Sequence, residues 1–458
     1  MPITTPGVRP ASALLAVPPP AWLGQFAGLA ARTRFEDVPS EVAAHARLVL
    51  LDCIGAIAAG AQEPELLALA TRMIAREGAG DAPVIGQARG ARPGTAALLN
   101  GTAGTTLELD EGNQYCRGHP AIHVVPALLA APRGDGAALL MALLLGYEIG
   151  ARVGIASKLN VAMHPHGTWG TLCAALGTAK LHGADAAEVA TCLNIAATLG
   201  LATSRRTMLE GGTVRNAYAG VSNMLGLTAW DLTRAGFEGE RDGIGTIFNE
   251  VSARHFDAAA MVDQLGTRWE LARNYFKRHA ACRYTHGALD ALARLMPLDA
   301  DRIARIDVAT YVWAAQLDSP AAPNMLAAKF SIPFTLATTI LHGAATVPAF
   351  RAPARENAAI QALAARVHVT EDPTLTAKLP GLRPARLAVT LTDGTVLRAE
   401  VTTNRGDRED PYTEAEIREK FHELADPVFG AARALAIEEA VLHLGPHTEA
   451  ASLTGLLA

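Results

Sequence analysis

The chain has 458 residues, half of them hydrophobic and only 5% aromatic, with a formal net charge of −5. That length exceeds one ordinary core and predicts two or three domains, and the Ala- and Leu-rich, aromatic-poor composition predicts a mainly α interior. The modest charge, with no run of Lys or Arg, argues against nucleic acid as a partner, and five scattered cysteines without a CxxC pair exclude a disulfide framework and fit a reducing, cytoplasmic compartment.

Residues 1–20 carry Pro and a short apolar patch but no basic segment ahead of a long apolar one, and read as a flexible tail. A helix apolar nearly all round follows, with Asp37 as its expected cap and Pro39 in its first turn, then PELLALATRMIARE and a helix opened by Pro93. Residues 137–156 are long and apolar enough to suggest a membrane span. Glu148 and Arg152, one turn apart, instead predict a buried helix of a protein that does not enter a membrane. Asp135 and Asp185 are expected helix caps, Gly183 ends the helix predicted over 167–183, and Gly236 closes one over 213–237. Gly150, Gly154, Gly170, Gly177 and Gly220 lie inside these helices. Each costs about 1 kcal/mol there relative to Ala, so they imply close helix approach or room for a ligand.

The texture changes near Trp269. Residues 304–315 and 364–372 read as strands, and 386–403 as two period-2 runs joined by Asp393-Gly394, a hairpin signal. Thr413 and Glu416 then form a capping box, and 427–444 is expected to pack back on the first helices. The expected architecture is a large all-helical domain, built from 21–269 and 406–458, with a smaller α+β domain at 270–405 inserted in it.

Four polar islands interrupt the apolar background. The first, within LNGTAGTTLELDEGNQYCRGHPAIHVVPALL, carries Glu108, Asp110, Glu111, Arg117, His119 and His123. The second places His164 and His166 before a glycine-rich helix start, the third puts Arg215 behind two glycines, and the fourth packs Lys277, Arg278, His279, Arg283 and His286 together. Cys282 reads as a small buried hydrophobe. No HExxH, CxxC, GxGxxG, Walker loop or GxSxG occurs, so neither a metal nor a nucleotide cofactor is indicated. Imidazoles move protons near neutral pH, and cations with helix N-termini bind carboxylates. The combination suits proton abstraction beside a carboxylate, hence elimination, epimerisation or decarboxylation.

Taken together, LDCIGAIAAG, AALLNGTAGTTLELDE, GHPAIHVVPALLA, GYEIGARVG, HPHGTWGTLCAALGTAKLHG, KRHAACRYTHGALDA, AKFSIPFTLA and the late EKF resemble the MmgE/PrpD family over nearly the whole chain from about residue 22. Members include 2-methylcitrate dehydratase, iminodisuccinate epimerase and cis-aconitate decarboxylase. The resemblance implies a helical domain with an α+β lid, a homodimer, and a cofactor-independent lyase active site in the cleft between domain and lid. It implies Glu108 and Asp110 as an acidic pair tuning the imidazoles, and His119 as a general acid. His164 and His286 become candidates for taking a proton from carbon. Arg215 and Lys277 would grip substrate carboxylates, helped by Arg283, with His166 also at the substrate. A dehydratase of the 2-methylcitrate type is the simplest reaction so implied, with epimerisation, decarboxylation or mere polycarboxylate binding as the alternatives. The chain departs from the family pattern at ELDEG, where relatives run closer to DFDDT. It departs again at Arg215-Asn216-Ala217-Tyr218, where many have Lys followed by Leu-His, and at His166, often Thr.

Overall fold

A helix apolar on every side must be enclosed. In the computed structural model, which describes residues 11–458, two such helices, Ser40–Gly60 and Gly136–Ala156, run through the interior. Both are long and apolar enough to cross a membrane, yet 72% and 89% of their apolar windows are buried within the protein. Glu148 and Arg152 pair at 2.8 Å inside it. Arg152 also donates to the Asp263 carbonyl (2.9 Å), while Glu148 accepts the Glu270 N–H (2.8 Å), so the pair moors the 260–270 loop to the helix. Of the expected tail, residues 1–10 lie outside the described residues, Ala11–Leu15 forms an exposed helical turn, and the next helix begins at Ala21.

Helices Pro93–Thr106, Gly170–Leu181, Ala186–Thr198 and Ala217–Arg234 pack around this centre. Helices 93–106 and 217–234 meet backbone to backbone: a Cβ on Gly220 would sit 2.1 Å from the Leu98 carbonyl oxygen, and one on Gly101 only 2.7 Å from Gly220 Cα. The C-terminal helices Glu414–Phe429 and Ala431–Leu442 lie along Ser40–Gly60 and add Ile417, Phe421, Ile437 and Val441 to the same core.

Short strands β1 (Ala79–Ala82), β2 (Ser157–Leu159) and β3 (Ala253–Phe256) sit among these helices. β4 (Ile303–Thr310), β5 (Val367–Glu371), β6 (Ala385–Leu391) and β7 (Val396–Val401) form one sheet in the order β5-β4-β6-β7. β4 runs parallel to β5 and antiparallel to β6. Alternation along β4 and β6 turns Ile306, Val308, Leu387 and Val389 inward, where helices Arg283–Ala293, Ile332–His342 and Ala358–Ala364 complete a second core. The Asp393-Gly394 turn forms as read, with Gly394 at φ 86° and Asp393 accepting the Thr395 N–H at 2.9 Å. The chain is thus mainly α.

Asp135, Asp185 and the Thr413–Glu416 box cap their helices as expected. Asp37 does not: the long helix starts at Ser40 behind Pro39, and the Asp37 carboxylate instead accepts the Arg34 N–H, closing a separate turn. The strand expected over 304–315 stops at Thr310. Val312–Ala315 turns helical, with the Val312 N–H on Thr376 Oγ1 (2.9 Å), because no partner strand continues beside it. The helix expected over 167–183 begins at Gly170, where a Cβ would meet His123 Nδ1 at 2.1 Å.

The polar stretch runs along the seam between the two cores. Leu107 and Leu109 are buried in the second, Cys116, Ala121 and Ile122 in the first. The Gly101–Gly220 crossing carries this stretch on one side, so Gly220→Ala should lower the denaturant-measured stability by about 1–3 kcal/mol, the usual cost of overpacking. An unchanged unfolding midpoint would show that the helices can part freely.

Candidate active site

Two carboxylates buried in that seam are matched by two cations. Glu108 pairs with Arg215 and lies 3.7 Å from Lys277 Nζ, which reaches Asp110 at 3.1 Å; all four side chains are almost wholly buried. Glu108 sits at φ +57° and Arg117 at φ +59°, left-handed conformations that cost a non-glycine residue about 1–3 kcal/mol each. Burial alone would raise the Asp110 pKa, but the charges of His119, Lys277 and Arg215 outweigh it and hold it at about 2. Asp110 is therefore ionised throughout the neutral range.

Its neighbour Glu111 is the opposite case. Burial lifts its pKa to about 8 even though the Ala121 N–H (3.0 Å) and the Tyr147 hydroxyl (3.0 Å) donate to its carboxyl group. Behind the acids, Lys420 bridges Asp52 (2.5 Å) and the Leu109 carbonyl (2.6 Å), fixing the strap from below. Lys329, donating to the Thr106 carbonyl at 3.3 Å, is pushed down to about 7 by burial, with Glu108 opposing.

The imidazoles form a contiguous group around His166, whose ring lies 4.6 Å from His123, 5.3 Å from His119 and 5.9 Å from His164. Backbone partners decide their tautomers. His119 Nδ1 faces the Glu111 carbonyl oxygen (2.6 Å) and Asp110 (3.1 Å), both acceptors, so the proton belongs on Nδ1 and the Nε2 lone pair is free. His164 Nδ1 accepts the His166 N–H (3.0 Å), so its proton belongs on Nε2. Burial, followed for His164 and His166 by the Arg215 charge, depresses the pKa of all three, and only His119 has a carboxylate, Asp110, working strongly against this.

His119, His164, His166, Glu108, Arg215 and Arg283 line one small pocket, with Arg117, Arg205 and Arg383 around it. Asp110 and Lys277 are not on its wall; they stand behind Glu108 and His119 as the supporting ion pair. His286 is not there either. Its Nδ1 accepts from Arg283 (2.9 Å) and its Nε2 donates to the Ala281 carbonyl (3.2 Å), leaving no nitrogen for a substrate. Both facts correct the sequence expectation: His286 positions Arg283, and His164 holds the tautomer of a donor, where the resemblance implied proton acceptors. Arg283 is itself neutralised by Asp407 at 2.5 Å. Cys282 reaches the pocket wall, with burial lifting its thiol to about 11.

Sequence reading placed Arg117 in the first polar island but missed Arg205 and Arg383, which with it give the pocket its charge. Arg117, Arg205 and Arg383 have no carboxylate within 4 Å among the described residues; they are held by the Ser157 carbonyl (2.6 Å), Gln316 (3.1 Å) and the Gln114 carbonyl (3.0 Å) respectively. Arg205 also lies over Trp313 at 4.3 Å. Arg205 Nη2 and Arg383 Nη1 are buried without a partner. Arg205 and Arg383 are isolated arginines in ordinary-looking sequence, and nothing local marks them. Among the described residues no three His, Cys, Asp or Glu side chains are grouped so as to hold a metal ion.

Residues 24–245 match the MmgE/PrpD N-terminal domain and residues 279–444 the MmgE/PrpD C-terminal domain. The chain is 27% identical to a cis-aconitate decarboxylase-like protein, oryM, of Aspergillus oryzae, over 92% of this chain and 94% of that protein. It is 24% identical to a cis-aconitate decarboxylase of Aspergillus terreus (92% and 93% covered) and 24% identical to that of Homo sapiens (80% and 79% covered).

The raised Glu111 pKa makes stability depend on pH. Between the ordinary value of 4.5 and about 8 the unfolded chain has lost a proton that the folded chain keeps, so this group's contribution declines as pH rises through that window. In Glu111→Gln, which mimics the neutral carboxyl, chemical denaturation from pH 5 to 8 should show a flatter decline than in the wild type. Parallel curves would mean that Glu111 is ionised in the fold.

Proposed function

The chain belongs to the MmgE/PrpD family and is a lyase-type enzyme, and from that premise we propose that it acts, without a cofactor, on a small di- or tricarboxylate. The observation that carries this reading is three guanidinium groups, Arg117, Arg205 and Arg383, with no carboxylate among the described residues to neutralise them, gathered around a pocket walled by His119 and His164. Cations of that kind, Arg205 and Arg383 buried and Arg117 half-buried, call for an anionic ligand with more than one carboxylate.

In the reaction we derive, the arginines hold the carboxylates, and His119 Nε2 removes a proton from the carbon beside one of them. The developing enediolate charge is stabilised by those cations and by the His164 Nε2–H, a neutral donor. Asp110 stabilises the imidazolium formed on His119. The same Nε2–H then passes its proton to the departing hydroxyl, so that water leaves, a double bond forms and His119 returns to its starting state. This is a dehydration of the 2-methylcitrate type, with one imidazole serving first as base and then as acid. The α+β part, which contributes Arg283 and Arg383 to the pocket, would close over the bound acid, and a homodimer is the assembly we expect.

A second reading, decarboxylation, is favoured by the names of the relatives. There His119, protonated from solvent beside Asp110, delivers its Nε2 proton to carbon, which takes the electron pair of the breaking carbon–carboxylate bond as carbon dioxide leaves.

Proton NMR of the protein with citrate, 2-methylcitrate, cis-aconitate and iminodisuccinate tests both. Loss of water supports the first reading and loss of carbon dioxide the second; deuterium exchange alone indicates an epimerase. Thermal stabilisation without consumption indicates a binder. His119→Ala should lower kcat by about 10²- to 10⁴-fold, at a stability cost of about 1–3 kcal/mol from leaving the Glu111 carbonyl unpaired. His286→Ala should cost about 1–3 kcal/mol of stability, by leaving Arg283 and the Ala281 carbonyl unpaired. Full turnover in His119→Ala would overturn the assignment.

A further inference from the structure

The pocket that holds the catalytic groups is small, with a free volume of about 40 Å³. One water needs roughly 10–15 Å³ measured this way, so it admits the reacting end of an acid and little more. Beside it lies a second cavity of about 360 Å³, within the usual range for small-molecule sites. The two are neighbours, with Arg117, Tyr284 and Arg383 lining both.

The larger chamber has a different character. Ile155, Trp313, Leu379 and Pro380 give it one apolar wall, Arg117, Lys158 and Arg383 with polar and tyrosine side chains form the rest, and among the described residues no acidic side chain lines it. Arg383, whose buried Nη1 lacks a partner, stands at the junction, where a carboxylate bound to it would leave the rest of the molecule pointing past Trp313 and Leu379. A chamber needed only to admit citrate-sized acids would be expected to be polar throughout, since such ligands carry hydrated groups at every end.

We infer that the substrate is a polycarboxylate bearing an alkyl substituent longer than methyl, with the chain housed in this second chamber. The inference rests on the polycarboxylate reading above and specifies its substrate class. Ile155, Trp313 and Leu379 are then specificity-determining residues, and Arg383 is the hinge between a polar head site and an apolar tail site.

The test is titration calorimetry of the full chain with citrate carrying no alkyl group, methyl, butyl or hexyl at carbon 2, with turnover followed by proton NMR. Burial of each added methylene should tighten binding about fourfold until the chamber is full. Leu379→Trp, which fills the chamber, should abolish the gain for the hexyl compound and leave citrate within twofold of the wild type; Ile155→Phe serves the same purpose if that variant does not fold. Affinity that is flat or falls along the series, or a gain that survives in the filled variants, overturns the inference while binding of citrate itself leaves the polycarboxylate reading standing. Failure of every acid in the series to bind overturns both.

Discussion

Everything in the site depends on keeping two carboxylates ionised in the seam between two hydrophobic cores. Taking Glu108 and Asp110 out of water is costly by several kcal/mol each unless opposite charges stand within reach, and Arg215 and Lys277 supply them. The four charges cancel. The neutral form of Glu111 adds no further negative charge, and Asp407 cancels Arg283. What is left over is positive: Arg117, Arg205 and Arg383 face the cavities with only neutral oxygens beside them. A site of this kind is electrostatically complemented by an anion.

The same ion pair sets the proton chemistry. Burial depresses every imidazole in the group, and a cluster of neutral rings cannot by itself sort donors from acceptors. The backbone does the sorting. A carbonyl at His119 Nδ1 and an amide at His164 Nδ1 leave opposite functions at Nε2, a lone pair on His119 and an N–H on His164. Asp110 then adds what neither backbone group can, a fixed charge that favours the imidazolium of His119 over that of its neighbours. On the proposed reading, one carboxylate that does not line the pocket thereby selects which histidine moves the proton.

The helices were legible because periodicity and capping chemistry are local. Asp135, Asp185 and Thr413 cap where their sequences say, whereas Asp37 lost its helix to Pro39, whose geometry starts the helix two residues later. The polar islands were legible because ionisable side chains in apolar surroundings are anomalous. Glu108, His119, His164, His166 and Arg215 do come together in one pocket. Arg205 and Arg383 were not legible, since each becomes exceptional only when distant segments bury it without a carboxylate partner. Tautomers were out of reach for a related reason. That His286 is spent on Arg283 and Ala281 depends on two backbone and side-chain positions that no motif spells out.

The distribution of the cations has a further consequence. Arg205 and Arg215 come from the helical part of the chain, and Arg283 and Arg383 from the part built on the sheet, so neither core carries a complete site. Like charges brought together from two bodies repel, and in a pocket shielded from water that repulsion is stronger than at a surface. A ligand whose carboxylates bridge the two sets replaces repulsion by attraction on both sides of the seam at once. On the proposed reading, its binding energy would be coupled to how closely the two cores approach, and substrate affinity and exclusion of water from the reacting carbon would become one event. On the proposed reading, stabilisation of a carbanion-like charge gains from that loss of water, while Asp110 offsets what burial takes from the basicity of His119.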